Sequence, residues 1–517
     1  MVIEMSETTT VQEGGTGAGD EHEGRLARLV QWFDARLGLS YEMLRPAPAY
    51  SINPFYWLGA LAVVAFAIQG VTGVMLMLYY IPTPSQAFSS TQFIFQQVSY
   101  GSFLETVHLY TAYAMIMLAF MHMMRGYFVS VNKKPREMMW IVGMMMGFVT
   151  LGFGFTGYLL PWTIVSKSAT DVGVGMIDAM PQPLANFLTF LMIGQGSGPE
   201  ELLRFYDLHV VVLPGILLLL LVGKMYMLES HGVSEPVAGP VPVSAKKSRL
   251  VPIFPDLSFY LIELACLFGA AMLLISVAFP LKLGPEYSAA LAGQTAAQPD
   301  WYFLWIYQIL KISVFEGSGL TVALGLVSVV FVALILLPFI DRGSNRRLEG
   351  RMKYEAVGLI FVAEVGVLTA WGYLTPGKII PTEQAVLVLG STALLVALVT
   401  VVSYRLIFRK IATGAPAEGG GPPSAYRSRS FDVASLWTAA SFVVVLTLGT
   451  FGISGLIGSA VSLIVGGYAA GMASSLAVAT GELALAVLGS VYLLYRLDLG
   501  SGMIRRRVKA FEVGWKR

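Results

Sequence analysis

The stretch TVHLYTAYAMIMLAFMHMMRGYF, residues 106–128, decides the fold, because it is apolar, long enough to cross a bilayer and contains two histidines. A membrane-spanning helix needs about 20 predominantly apolar residues. His108 and His122 are 14 positions apart. At about 100° and about 1.5 Å per residue they share nearly one helix face, about 21 Å apart along the axis. Because ionisable side chains inside membrane helices are usually functional, this helix is predicted to act at two depths of the membrane.

The composition of the whole chain agrees with a membrane protein. Of 517 residues, 56% are hydrophobic and 13% are charged, whereas soluble domains are about 25% charged. The net charge of +2 gives no indication of a nucleic-acid partner. The single cysteine, Cys266, excludes an intrachain disulfide, a cysteine-ligated iron–sulfur cluster and a CxxCH haem attachment.

Apolar segments predict an all-α, polytopic protein with about ten transmembrane helices, and the basic residues predict its orientation. The loop after the second span carries Lys133, Lys134 and Arg136, whereas the loop after the third holds only Lys167 and Arg204. This alternation continues along the chain and predicts a multi-pass protein of the cell inner (plasma) membrane with both termini cytoplasmic. The candidate spans lie near residues 54–80, 103–129, 138–162, 205–229, 256–280, 318–340, 354–374, 384–408, 434–457 and 473–497.

Four regions follow from these segments. Residues 1–24 are predicted to be a disordered tail, and residues 25–250 an N-terminal four-helix bundle that carries the histidines. Residues 251–383 form a second membrane domain. Residues 384–517 contribute extra transmembrane helices, with a Gly- and Pro-rich cytoplasmic linker at 411–430.

Two imidazoles stacked across a membrane suit two haems in one bundle, and each iron then needs a second axial ligand from another helix. His209 lies near the outer end of the fourth span, at the depth of His108. The residue 15 positions later, where a partner for His122 belongs, is Lys224. From spacing alone, Lys224 is either a ligand or a lysine whose ammonium reaches the inner interface.

Glycines repeat with the same period. Gly59 and Gly73 are 14 apart in the first span, and Gly143 and Gly157 are 14 apart in the third. Small residues at helix contacts explain glycines in general. The doubled period instead predicts gaps where no side chain blocks a flat macrocycle.

Several motifs together resemble cytochrome b of the quinol:cytochrome c/plastocyanin oxidoreductases. They are FYWLGA with GVTG, TVHLY with MHMMRGYF and NKKPRE, GFGFTGYLLPW, LLRFYDLHVVVLP, and QPDWYFLWIYQILK at residues 298–311. The last is similar to the PEWY motif of the family's quinol-oxidation site. The resemblance covers roughly residues 25–380, with the two halves fused in one chain.

The resemblance implies cofactors and site residues. Two haem b groups are expected, the outer iron between His108 and His209 and the inner between His122 and Lys224, and the resemblance favours ligation by Lys224. Asp300 is expected to accept protons from quinol. Tyr302 is expected to be a second proton acceptor, and Gly59, Gly73, Gly143 and Gly157 are expected to face the haems. The inner basic residues either pair with the haem propionates or are ordinary positive-inside charge; they are Arg125, Lys133, Lys134 and Arg136. The quinone-site candidates are Tyr158, Pro299, Trp301, His231 and Asp256.

Two departures from the family pattern refine the expectation. Trp57 stands where the plastoquinol branch has a cysteine that attaches an extra haem, so no covalent c-type haem is expected on this chain. The motif reads PDWY, and such variants indicate menaquinol as the quinol. The implied partners are a Rieske iron–sulfur protein, a c-type cytochrome or other acceptor subunit, quinol, membrane lipid and a second copy of the chain in a homodimer within a multi-subunit complex.

Two other classes of protein are the alternatives. Ten spans with a basic inner face also fit a non-haem transporter, which would not need histidines and glycines of one period. A quinone-linked cytochrome b of a dehydrogenase would leave the segment QPDWYF unexplained.

Overall fold

The computed structural model describes residues 32, 46–48, 51–194, 199–234, 250–292, 298–343 and 351–412. Within these ranges the long helices follow the apolar segments. We label them α1 Leu58–Met77, α2 Gly101–Phe128, α3 Glu137–Leu159, α4 Pro199–Asp207 continued by Leu213–His231, α5 Ser258–Ala278, α6 Gly319–Ile335, α7 Met352–Leu374 and α8 Thr382–Ala412.

Seven of these helices are long and apolar enough to cross a membrane, and α6, with 17 residues, is shorter. The segment predicted to span 318–340 is divided, because α6 ends at Ile335 and a second short helix covers Leu337–Ile340. Pro338 lies in the first turn of that short helix, where its missing N–H is tolerated. The last two predicted spans, the tail and most of the linker lie outside the described residues.

Helix α4 contains a π turn. Residues Leu208–Val212 adopt i→i+5 geometry between its two α-helical parts. Pro214 is the second residue after this turn, and because it has no N–H it cannot donate to the carbonyl four residues back. One residue more than in a regular helix is therefore accommodated at this turn.

The first four long helices form the bundle. α1 packs along α2, α2 contacts α3, and α3 packs against α4. Helix α5 lies against α1 and α2, while α6 and α7 contact α3 and α2 respectively. The end of the bundle that is predicted to face outward contains a buried apolar cluster of Ala87, Leu159, Trp162, Leu202 and Phe205.

Short elements between the spans were not predicted from the apolar segments, because they are too short to cross a bilayer. They are the helices Ala87–Gln96, Ile164–Asp178, Gln182–Met192, Ala289–Ala292 and Leu304–Leu310, the 3-10 turns Pro54–Tyr56 and Ser313–Phe315, the π turn Ile253–Leu257, and the strands β1 Pro46–Pro48 and β2 Leu250–Pro252. The strands pair antiparallel. Helix Leu304–Leu310 packs on α7 and positions the segment that precedes it.

Candidate functional site

The outer pair of histidines meets inside the bundle. The rings of His108 on α2 and His209 on α4 have centroids 6.4 Å apart. That separation leaves room for one metal ion with bonds of about 2 Å to a nitrogen of each ring. Part of α1 is fixed beside them, since Gln69 Nε2 donates to the carbonyl of His108 at 2.5 Å.

A threonine lies behind each outer histidine. Thr72 Oγ1 is 2.8 Å from His108 Nδ1, and Thr156 Oγ1 is 3.1 Å from His209 Nδ1. Both threonines are buried. With Nδ1 engaged on each ring, the Nε2 atoms are the ones available to a metal.

The inner pair consists of His122 on α2 and Lys224 on α4. His122 Nδ1 is buried and has no hydrogen-bond partner in the described part of the chain. Lys224 is half-buried, and its Nζ lies where it would be 2.8 Å from a Cβ added to Gly143. The amine therefore points into the bundle at a glycine of α3, and no hydrogen bond or ion pair to it occurs among the described residues.

Each of the four candidate ligands faces one of the four periodic glycines. An added Cβ would approach His108 to 3.4 Å at Gly73, His209 to 2.6 Å at Gly157 and His122 to 3.0 Å at Gly59. The Lys224 contact at Gly143 completes the set. Gly59 and Gly73 of α1 thus face the ligands on α2, and Gly143 and Gly157 of α3 face the ligands on α4. At each depth, these positions of α1 and α3 place no side chain against the ligands.

This donor set fits an axially ligated macrocycle. No group of three or more His, Cys, Asp or Glu in the described ranges could hold a metal ion by itself. A haem needs only two side chains, one on each side of the iron, because the macrocycle supplies its other ligands. The imidazoles of His108 and His209 can supply these two side chains, and Gly73 and Gly157 beside them leave space for the macrocycle.

The π turn explains the unequal ligand spacing. His108 and His122 are 14 residues apart in the regular helix α2, whereas His209 and Lys224 are 15 apart in α4. His209 lies inside the π turn, which adds one residue without advancing the helix face. Both pairs therefore span nearly the same rotation and the same two depths.

Asp300 lies in a cluster of aromatic side chains. Tyr113 Oη on α2 donates to Asp300 Oδ1 at 2.9 Å, and Tyr302 Oη lies 3.3 Å from Oδ2. The Tyr302 hydroxyl is also 3.2 Å from the carbonyl of Gly154, against which its ring packs. The Trp301 ring meets both the Tyr113 and Tyr302 rings edge to face.

Burial dominates the acid–base properties of this cluster. It raises the pKa of Asp300 above its usual range, while the hydrogen bonds from Tyr113 and Tyr302 act in the opposite direction. Burial and the neighbouring carboxylate raise the pKa of Tyr302 well above 10. Tyr302 therefore stays a hydroxyl donor, and Asp300 is the more acidic of the two groups and the one able to take up and release a proton.

The other predicted quinone-site residues are divided between two places. Tyr158 and Pro299 lie near Asp300, since Tyr158 Oη donates to the carbonyl of Gln298 at 3.4 Å. His231 and Asp256 are exposed, and His231 Nδ1 is 2.9 Å from the carbonyl of Met227. The structure thus gathers the outer candidates and leaves the two inner ones at the surface.

The inner basic residues have protein partners. The guanidinium of Arg125 lies 4.0 Å from the ring centroid of Tyr56. Lys133 Nζ pairs with Asp341 at 2.8 Å, and Arg136 donates to the carbonyl of His231 at 3.0 Å. Of the basic residues expected near the inner propionates, Lys133 and Arg136 are therefore used in packing.

Sequence reasoning missed Thr72, Thr156, Tyr113 and Gly154. The two threonines had a signal, because each directly precedes a periodic glycine, in VTG at 71–73 and FTG at 155–157. Tyr113 had none, since its contact joins α2 to a loop 187 residues away.

These features define an all-α, multi-pass membrane protein with paired candidate ligands at two depths of one helical bundle. The model of the family described as cytochrome b/b6/petB matches residues 45–232, and that of cytochrome b (C-terminal)/b6/petD matches residues 290–396. The chain belongs to the cytochrome b family, which implies that it binds haem b.

Relatives and a solved structure agree with this assignment. The chain is 34% identical over 326 residues to a cytochrome bc complex cytochrome b subunit of Chlorobaculum thiosulfatiphilum, covering 61% of this chain and 74% of the relative. It is 40% identical over 192 residues to cytochrome b6 of Heliobacterium mobile, covering 37% and 90%. A chain of a hyperthermophilic respiratory Complex III has the same fold, with a TM-score of 0.59 and 24% identity, covering 73% of this chain and 98% of that one. The transporter and dehydrogenase alternatives find no support in these matches.

Proposed function

We propose that this chain oxidises quinol near the outer face of the plasma membrane and passes the electrons across the bilayer through two haem b groups. The observation that carries the proposal is the match between four ligand-type side chains and four glycines at two depths. Bound haem supplies a reversible one-electron iron couple. The chain's own residues hold the two irons at separate depths and leave space for the macrocycles.

Asp300 supports the quinol half of the proposal. A carboxylate within reach of a quinol hydroxyl can accept its proton as the electron leaves. Tyr113 and Tyr302 orient the carboxylate through its two oxygens. The aromatic rings around it provide an apolar surface for a quinone ring, and Tyr158, Pro299 and Trp301 border the same place.

The names of the relatives support membership of a multi-subunit complex. One relative is a subunit of a cytochrome bc complex, and the structural neighbour is part of a respiratory complex. We assign this chain to such a complex, with a Rieske protein and a further electron acceptor as partners and with proton translocation coupled to electron transfer. Menaquinol is the proposed quinol, His231 and Asp256 the inner proton-donor candidates, and both termini are placed in the cytoplasm.

The test is the reduction of bound haem by a menaquinol analogue in the purified complex, comparing wild type with Asp300→Asn. Loss of a positioned base should slow quinol-driven reduction by about 10²-fold or more, with dithionite-reducible haem unchanged at two per chain. In His209→Ala, pyridine haemochrome should read one haem fewer. Wild-type rates in Asp300→Asn, or undiminished haem in His209→Ala, would contradict the proposal.

A further inference from the structure

The two threonines behind the outer histidines occupy equivalent positions on different helices. Thr72 precedes Gly73 on α1, and Thr156 precedes Gly157 on α3. In each case the glycine faces a histidine ring and the threonine hydroxyl meets Nδ1 of that same ring. The arrangement occurs twice, once on each side of the outer site.

The hydroxyl protons of these threonines are already used. Thr72 Oγ1 donates to the carbonyl of Ile68 at 2.8 Å, and Thr156 Oγ1 donates to the carbonyl of Gly152 at 2.9 Å. A hydroxyl has one proton and two lone pairs, so each Oγ1 faces its histidine as an acceptor. Nδ1 of both histidines is therefore protonated, and Nε2 of both carries the free lone pair.

The inner site lacks this arrangement. The residues that precede Gly59 and Gly143 are Leu58 and Val142, whose side chains have no acceptor. His122 Nδ1 is buried without a hydrogen-bond partner in the described ranges. An effect that depends on a threonine acceptor is thus confined to the outer site.

We propose that Thr72 and Thr156 are positioning residues that fix the tautomer of His108 and His209 and lower the reduction potential of the outer haem. The inference rests on the proposed function in that it requires a haem at this site. A ligating histidine that donates its other N–H becomes a more basic ligand. A more basic ligand stabilises the ferric state, with its additional positive charge, more than the ferrous state.

The experiment is a redox titration of both haems in the complex carrying Thr72→Val or Thr156→Val. Valine keeps the shape and removes the hydroxyl acceptor. His209 also has a hydrogen bond to the backbone of Phe153, so the larger effect is expected in Thr72→Val. Loss of such a supporting contact typically changes metal-site equilibria by 10–100-fold. A tenfold change in favour of the ferrous state raises the outer potential by about 59 mV for a one-electron couple. The inner potential should be unchanged.

Two control variants separate this effect from general damage. Thr150 is also buried on α3 and donates to the carbonyl four residues back. It makes no hydrogen bond to a histidine among the described residues, so Thr150→Val should leave both potentials unchanged. Thr72→Ser keeps the hydroxyl and should keep the wild-type potential. The outer haem's ferric EPR signal should move in the valine variants and not in the controls.

The outcomes distinguish this inference from the proposed function. If the pyridine haemochrome assay shows that the wild-type chain binds no haem at the outer site, both the threonine inference and the proposed function are overturned. Wild type with two haems, and valine variants with unchanged outer potential and EPR signal, overturn the threonine role alone. Loss of only the outer haem in Thr72→Val, with retention in Thr72→Ser, supports it.

Discussion

In the proposed function, the charge of a single carboxylate, that of Asp300, controls quinol oxidation. Burial raises its pKa, so the protonated form persists to higher pH than the value of about 3.9 for an exposed aspartate. Only the ionised form accepts a proton. We therefore expect quinol oxidation to fall as pH is lowered, with a midpoint above that of an exposed aspartate.

Tyr113 provides a check on that pH dependence. Its hydrogen bond to Oδ1 favours the carboxylate, so Tyr113→Phe should move the midpoint to still higher pH. Asp300→Asn should remove this dependence of the rate on pH and leave a low rate at every pH. Steady-state rates from pH 5 to 8 measure both effects, and an unmoved midpoint in Tyr113→Phe would contradict the assignment.

Lys224 is the second residue whose chemistry can be tested singly. An unpaired ammonium inside the bundle would be costly, and a neutral amine can bind iron instead. Lys224→Met should change the spin state or potential of the inner haem and leave the outer haem unchanged, whereas Lys224→His should give a bis-histidine EPR spectrum. The exposed Lys353 is the matched control, because Lys353→Met removes a charge on the same predicted side of the membrane at a residue with no expected haem contact. Unaltered spectra in Lys224→Ala would mean that the lysine only reaches the interface.

Helix α3 contains both crowded glycines and an open one, and Gly157 and Gly147 are an example of each. A methyl group at Gly157 would lie 2.6 Å from His209 Cε1, which no real Cβ contact tolerates. At Gly147, on the same helix, nothing lies within 4 Å. Gly157→Ala should therefore displace the ring and lose the outer haem, while Gly147→Ala should keep both haems and gain helix propensity. Absorbance and haem quantitation would decide, and equal haem content in the two variants would refute the crowding argument.

How far the sequence predicts these elements depends on the range of each contact. The long helices and the glycine and histidine periods are local patterns, so hydropathy and helix geometry predict them. The division of the predicted span 318–340, the π turn and the short helices between the spans depend on local backbone geometry that hydropathy does not record. The contacts of Tyr113 with Asp300, and of Lys133 with Asp341, join residues far apart in sequence, and periodicity contains no information about them.

Across the whole molecule, a buried ion-pair network joins the haem bundle to the second membrane domain. Asp341, after α6, pairs with Lys133 of the α2–α3 loop at 2.8 Å and with Arg351 at the start of α7 at 2.6 Å. Arg351 also donates to Ser130 Oγ and pairs with Glu355. Removing the central carboxylate leaves two buried cations without their shared partner.

Asp341→Asn should therefore destabilise the protein by about 3–5 kcal/mol, measured as a lower Tm in detergent. Asp171 is the control, since its carboxylate, 47% exposed, pairs with Lys167. Surface pairs contribute about 0–1 kcal/mol, so Asp171→Asn should melt near wild type. Similar melting of the two variants would show that the network does not stabilise the junction.

The π turn of α4 makes this helix unusually tolerant of a deletion. Removing one residue from a membrane helix normally rotates everything beyond it by about 100°. Removing Val211, inside the π turn, would leave His209 and Lys224 14 residues apart in a regular helix, still on one face. Removing Met117 from the regular helix α2 would turn His122 away from His108. The chain without Val211 should keep both haems, and the chain without Met117 should lose one, although each lacks a single residue.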